Sequence, residues 1–258
     1  MEENTKVMEE NKADKIDGEI KKRLFIVGSS HIATESVKNV NLAFESFRPE
    51  IIAVELDRRR FETLFYKGKR KAPPISYMFK IGLFGYLFTL LGGYLQRTLG
   101  ARIGTTPGIE MKTAAKLAAE NNIPLALIDQ DIEITLKNLS KQAGVLFILK
   151  VIYDMIAGGI KTLFTRKKQI DLEPFDLKSV PNERTIKKIL KLFKSKYPKL
   201  YKALVEDRNI IMAEHLSSMI LSTDKKIMAV VGAGHKQELY NLIKQKIKTG
   251  MINSGDKK

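Results

Sequence analysis

Two glycine turns, each fed by an apolar run and each presenting a histidine, stand near opposite ends of the chain. Leu24-Phe25-Ile26-Val27 runs into Gly28-Ser29-Ser30-His31, and Ile227 to Val231 runs into Gly232-Ala233-Gly234-His235. The sequence holds three histidines, and two of them sit at these turns. Two carboxylate pairs follow apolar runs in the same manner: Ile51-Ile52-Ala53-Val54 empties into Glu55-Leu56-Asp57, and Ile123 to Ile128 into Asp129-Gln130-Asp131. Histidine with carboxylate is a donor set for a divalent metal, or for moving protons. Because the chain contains no cysteine, thiolate metal sites, disulfides and cysteine nucleophiles are excluded. A histidine at the start of a helix feels the positive end of the dipole, which favours the neutral ring that a ligand or base needs.

Taken singly, each of these residues also has a plainer role. A histidine near a turn can be a structural hydrogen-bonder, and Glu55 can pair with Arg58, Arg59 or Arg60. Asp57, Asp129 and Asp131 are good helix caps, while Glu110 can stabilise the first turn of a helix opened by Pro107. Asn209 lies on the stripe of Val205, Met212, Leu216 and Met219, so its amide needs a partner; Arg208 and Glu206 share that helix. His215, beside Glu214, reads as incidental. A dinucleotide turn is the phosphate-binding alternative for Gly232 and Gly234, but its third glycine position falls on Gln237.

The elements needed to position these groups alternate. Buried strands are expected at 23–28, 51–54, 123–128 and 227–231, separated by segments of helical period such as Thr34 to Phe47. This pattern predicts an α/β fold: a central, mostly parallel sheet of four or more strands flanked by helices, with a large helical insertion at about 70–122 and 132–222. In such sheets ligands bind beyond the carboxyl ends of the strands, where all four exits here carry histidine or carboxylate. Gly28, Gly232 and Gly234 are expected to turn the chain through positive φ and to let a substrate approach closely.

At 258 residues and 44% hydrophobic, the chain can bury one sizeable core. A single domain over 23–249 is expected, with 1–22 as a polar, disordered leader and 250–258 as a disordered tail. The leader lacks the apolar run of a signal peptide, so a cytoplasmic protein is expected. The net charge of +16 is uneven: between Arg166 and Lys202 twelve basic residues face four acidic ones. From about Asn182 a helix sets Ile186, Ile189, Leu190 and Phe193 against Lys187, Lys188, Lys191 and Lys194. That basic face suits an anionic surface or plain solvation; nucleic acid is not expected, since interleaved aromatics are missing. Residues 75–95 are long enough on paper for a bilayer of roughly 30 Å. Lys80 and the glycines at 82, 85, 92 and 93 instead favour packing on the domain, on a second subunit as a homodimer, or at a membrane surface.

These motifs, together with Pro107-Gly108-Ile109-Glu110-Met111, Ile134-Thr135-Leu136 and Glu206-Asp207-Arg208-Asn209 with Met212, resemble the TraB/PrgY family, related to the Tiki metalloproteases and the erythromycin-esterase/ChaN-like group. The likeness runs over about residues 23–247. It implies a peptide substrate and a divalent metal (Mn²⁺, Co²⁺ or Zn²⁺) held by His31 and His235, with Glu55 as third ligand or as base. In the same resemblance Glu110 is a second candidate base, and Arg60 and Arg208 orient carboxylates or stabilise an oxyanion. Gly28, Asp57, Asp129, Asp131, Asn209, Gly232 and Gly234 support the site. Plasmid-borne members are associated with shutting down peptide pheromone signalling. Two departures stand out. Lys137 and Asn138 follow the Ile-Thr-Leu segment where the family often has arginine, and the hydrophobic C-terminal region of many prokaryotic members is missing after the last helix. Either a membrane anchor lies outside this sequence or the chain belongs to a shorter branch. The competing expectation is a non-catalytic peptide- or surface-binding regulator that keeps the fold.

Overall fold

The structure, a computed structural model, describes residues 14–29, 34–65, 73–103, 108–142 and 183–255. His31, Pro107, the apolar stretch around 145–156 and the polar segment 166–181 lie outside the described residues.

Strands β1 (Leu24–Ser29), β2 (Ile51–Val54), β3 (Leu125–Leu127) and β4 (Ile227–Gly232) form one parallel sheet in the order β1-β4-β2-β3. Continuous apolar runs are what a parallel sheet covered on both faces demands, and every residue of β4 is buried. Alternate residues of β4 serve opposite faces. Ile227, Ala229 and Val231 pack with Ile20, Met212, Leu216 and Leu239, whereas Met228 and Val230 pack with Val40, Met111 and Ala114. The second face is covered by α2 (Thr34–Phe47) and α5 (Ile109–Glu120). The first is covered by α9 (Asp207–Ser222), by α10 (Lys236–Gly255), which runs on into the stretch expected as a disordered tail, and by α1 (14–23).

Within the leader expected to be disordered over 1–22, the described residues 14–22 are helical instead. Ile16 and Ile20, one helical turn apart, are 5% and 1% exposed inside the core. Asp17 ties the helix down through Lys21 (2.6 Å), Lys244 (3.1 Å) and the Tyr240 hydroxyl (2.9 Å). The two lysines hold the Asp17 carboxyl down to about 2 from an ordinary 3.8, and burial beside that carboxylate pushes Tyr240 up to about 12. A carboxyl whose folded value is depressed stabilises the fold above its unfolded value, and that stability is lost as pH falls through the folded one. Asp17→Asn is therefore expected to melt below the parent at pH 7 and level with it near about pH 2. Thermal melts across that window check this; a gap that persists unchanged into acid would overturn it.

The remaining helices stack beyond the sheet's carboxyl edge. They are α3 (Arg58–Phe65), α4 (Tyr77–Ile103), α6 (Ile132–Gln142), α7 (Glu183–Lys196) and α8 (Pro198–Tyr201), which passes through a π-helical turn (Lys202–Glu206) into α9. Phe84, Leu139, Leu200 and Ala203 form their shared core. Helix α4 packs on α6 and is broken at Gly82, whose φ of 80° suits glycine alone. The Ser140 hydroxyl plugs the break, donating to Ile81 O (2.7 Å) and accepting from Gly85 N (2.7 Å). Phe79 and Leu83, on the outer side, are 84% and 51% exposed. Among the described residues no helix is long and apolar enough to cross a membrane.

Candidate active site

Strand order decides which exits become neighbours. The last strand enters the sheet between the first two, so Ser29 of β1 lies opposite Gly232 of β4, and Val54 of β2 opposite Val230. The ends of β1 and β4 and Glu55 consequently meet at one edge. Close approach, and not positive φ, is what Gly28 supplies there: a Cβ on it would stand 3.3 Å from the Ala233 Cα. Positive φ among the described glycines occurs at Gly82 and Gly108, so the expectation for Gly28, Gly232 and Gly234 is corrected. Gly28 and Gly232 are strand residues, already in extended backbone.

Glu55 is 5% exposed at the end of β2. Its Oε2 accepts from Gly232 N at 2.6 Å, its Oε1 accepts from the Arg208 guanidinium, and the same Oε1 stands 3.4 Å from His235 Nε2. The cation beside Glu55 is thus Arg208 from α9, and not the neighbouring Arg58, Arg59 or Arg60. Arg208 also reaches Asp129, donating from Nε to Oδ1 (3.0 Å) and from Nη2 to Oδ2. Burial alone would lower the Arg208 pKa, but Glu55 and Asp129 outweigh it and hold the group above the ordinary arginine value. Arg60 closes the network from the far side, binding Asp57 and Asp129 together. Asp57 caps α3 through Arg60 N (2.9 Å) and also accepts from Ile132 N (3.2 Å), while Asp131 caps α6 through Glu133 N (2.7 Å).

His235 is 8% exposed and immediately precedes α10. Its Nδ1 stands 2.6 Å from Asn209 Oδ1, and Asn209 Nδ2 donates to Glu238 Oε2 at 3.1 Å. Since a carboxylate can only accept from the amide nitrogen, the amide orientation is set and Oδ1 is left as an acceptor. Nδ1 therefore carries the proton, and Nε2 is the nitrogen turned to Glu55. This is the buried partner that Asn209 required. Glu110, fully buried on α5, accepts from the Ser29 hydroxyl at 3.4 Å beside the β1 exit.

The donor set can be weighed against a divalent ion. Two ligands bound at about 2.1 Å to a tetrahedral ion stand about 3.4 Å apart, and His235 Nε2 and Glu55 Oε1 have that separation. Asn209 supplies the outer hydrogen bond that metal-binding histidines ordinarily make. Among the described residues no group of three or more histidine or acidic side chains is placed to hold an ion, and His31 lies outside them. Two candidate donors, His235 and Glu55, thus stand at a separation that a divalent ion accepts.

The sequence profile of the TraB/PrgY/gumN family matches residues 15–252. The chain belongs to the TraB/PrgY/gumN family. It is also 30% identical over 223 residues to an uncharacterised protein, MJ1365, of Methanocaldococcus jannaschii, an alignment covering 86% of this chain and 53% of that protein. The chain thus spans about half the length of the relative it matches. The TraB/PrgY/gumN match takes in most of α1 as well as the sheet, in keeping with the docking of that helix in the core.

Sequence reasoning passed over three residues of these side-chain networks. Glu238 stands three places after His235 in the first turn of α10, and that His-x-x-Glu spacing was the available clue. Tyr201 donates to the same Glu238 carboxylate at 3.3 Å. Glu133, 7% exposed, gathers Arg59, Lys80 (2.9 Å) and the Tyr77 hydroxyl (3.0 Å) and so joins α3, α4 and α6. Burial alone would raise the Glu133 carboxyl, but Lys80, Tyr77 and Arg59 together hold it below its ordinary value. His215 binds the Ile128 carbonyl at 2.8 Å, a structural tie between α9 and the end of β3.

Proposed function

We propose that the chain is a divalent-metal-dependent hydrolase acting on peptides, with His31, His235 and Glu55 as the metal-holding residues. The observation that carries this reading is the placement of His235: Nδ1 stands 2.6 Å from Asn209 Oδ1, and Nε2 stands 3.4 Å from Glu55 Oε1. When bound, Mn²⁺, Co²⁺ or Zn²⁺ lowers the pKa of a coordinated water towards roughly 7 and polarises the scissile carbonyl. Glu55, with Oε2 fixed by Gly232 N and Oε1 by Arg208, is held to one orientation as ligand or base. Glu110, buried beside the β1 exit, is the second group able to take a proton from the attacking water. Arg208 is committed to two carboxylates and Arg60 to two more contacts, so both act here as positioning residues rather than oxyanion donors.

Protein stripped of metal and titrated calorimetrically with Mn²⁺, Co²⁺ and Zn²⁺ tests the reading. His31→Ala and His235→Ala should each weaken binding by at least about tenfold. If both variants bind metal as well as the parent, the site is elsewhere. A second reading, a peptide-binding member without catalysis, is favoured by the Arg208 guanidinium on Glu55 Oε1, since a cation there competes with a metal for that oxygen. It predicts lysine-dependent peptide binding with no bound metal and no turnover.

A further inference from the structure

Beside the Gly232–His235 turn lies a cavity of about 420 Å³, formed between α7 and the start of α10, with Gly28, Ala233 and Gly234 along one side. That volume is in the range of small-ligand clefts and admits a few side chains, not a folded partner. Ile186 and Leu190 of α7 face the glycine turn across it and make an apolar floor; a Cβ on Gly234 would stand 3.6 Å from Leu190. Four lysines line it, at 187, 191, 194 and 236, against a single carboxylate, Glu238. Glu238 is already engaged by Asn209 and Tyr201. Lys194 is engaged too, paired with Glu206 at 2.7 Å and lying over the Tyr201 ring. No carboxylate among the described residues pairs with Lys187, Lys191 or Lys236, so the wall is cationic over an apolar base.

The inner wall also reaches the candidate active site. Tyr201 and Glu238 line the cavity and continue through Asn209 to His235. We infer that this cavity binds the acidic, apolar end of a peptide: carboxylates on Lys187, Lys191 and Lys236, and an aliphatic side chain on Ile186 and Leu190. Charge complementarity selects the anion and the aliphatic floor selects the rest. A nucleic acid would use the lysines but finds only Tyr201, a buried ring, for its bases to stack on. As a substrate subsite the cavity rests on the hydrolase reading, whereas binding itself can be measured without metal.

The probes are fluorescein-labelled hexapeptides ending Leu-Glu-Leu-Asp with a free carboxylate, the Gln and Asn amidated counterpart, and a basic counterpart, each followed by anisotropy on the full, metal-stripped chain. The acidic peptide should bind best and weaken as salt rises. Lys187→Gln with Lys191→Gln should weaken it about tenfold and change the neutral peptide by no more than about twofold. Leu190→Asp should weaken both, and Lys248→Gln, on the exposed side of α10, neither. These lysines are exposed, so the variants fold, which circular dichroism verifies. Equal binding of acidic and neutral peptides, parental affinity in the double variant, or equally tight binding of a single-stranded oligonucleotide each overturns the inference. Lysine-dependent binding without metal affinity keeps the inference and removes the hydrolase reading. Metal binding and cleavage with no acidic preference do the reverse.

Discussion

Arg208→Met is expected to destabilise the protein by about 3–5 kcal/mol, the range found when one member of a buried ion pair is removed. The arginine side chain is 14% exposed and its partners Glu55 and Asp129 are 4% and 0% exposed, so methionine leaves two carboxylates in place without the cation between them. For a domain of this size that loss lowers the melting temperature by roughly 10 °C. Arg208→Lys should recover only part of it, because an ammonium is a point charge and cannot bridge two carboxylates as a planar guanidinium does. Removing the stranded charge as well, in Arg208→Met with Glu55→Gln, should restore some of the loss, since Asp129 keeps Arg60 as its cation. Differential scanning calorimetry of the series at pH 7 checks these outcomes. A shift below about 2 °C for Arg208→Met would show that the cluster is solvated and contributes little.

Asn209→Leu should weaken divalent-metal affinity by about 10- to 100-fold, the usual effect of losing the outer hydrogen bond of a metal-binding histidine. Leucine keeps the branching and the number of side-chain heavy atoms of asparagine but neither accepts from His235 Nδ1 nor donates to Glu238, whose carboxylate stands 3.1 Å from the asparagine amide nitrogen. The ring is then free to carry its proton on either nitrogen, and the tautomer that turns Nε2 to Glu55 is no longer selected. A stability loss of about 1–3 kcal/mol accompanies it, since buried His235 and half-buried Glu238 each lose a partner. Asn209→Asp keeps the acceptor but places a second carboxylate against Glu238, so it should perturb the site differently, by repulsion. Calorimetric metal titration of each variant, with near-ultraviolet circular dichroism as a check on the fold, separates the two effects. Parental metal affinity in Asn209→Leu would sink the assignment of His235 as a ligand.

Both experiments concern residues of α9, far from the strand exits in sequence, and this separates what was legible from what was not. The four strands were readable because each is a short apolar run emptying into polar residues, a local pattern carried by a few adjacent positions. The α/β class and the concentration of histidine and carboxylate at the strand exits followed from that pattern. Asp57 and Asp131 as caps were equally local, since a cap is set by residues two or three apart. Helix α1 was missed because two isoleucines one turn apart, amid charged residues, make almost no periodic signal; they become core only where α9 and α10 offer a surface.

Strand order, by contrast, is a long-range choice, and nothing in an individual run tells that the last strand enters between the first two. That insertion, packing all of β4 between apolar layers, is what sets His235 against Glu55 and the ends of β1 and β4 side by side. The cation for Glu55 was sought among its neighbours Arg58, Arg59 and Arg60, yet these three pair with Glu62, Glu133 and Asp57 instead. Arg208 takes the place because burial between two carboxylates rewards a guanidinium that spans both, whatever its distance along the chain. The sequence by itself determined which residue types wait at the ends of the strands; only the tertiary structure decided which of them share a cation and a common space, because those pairings depend on packing and desolvation rather than on spacing.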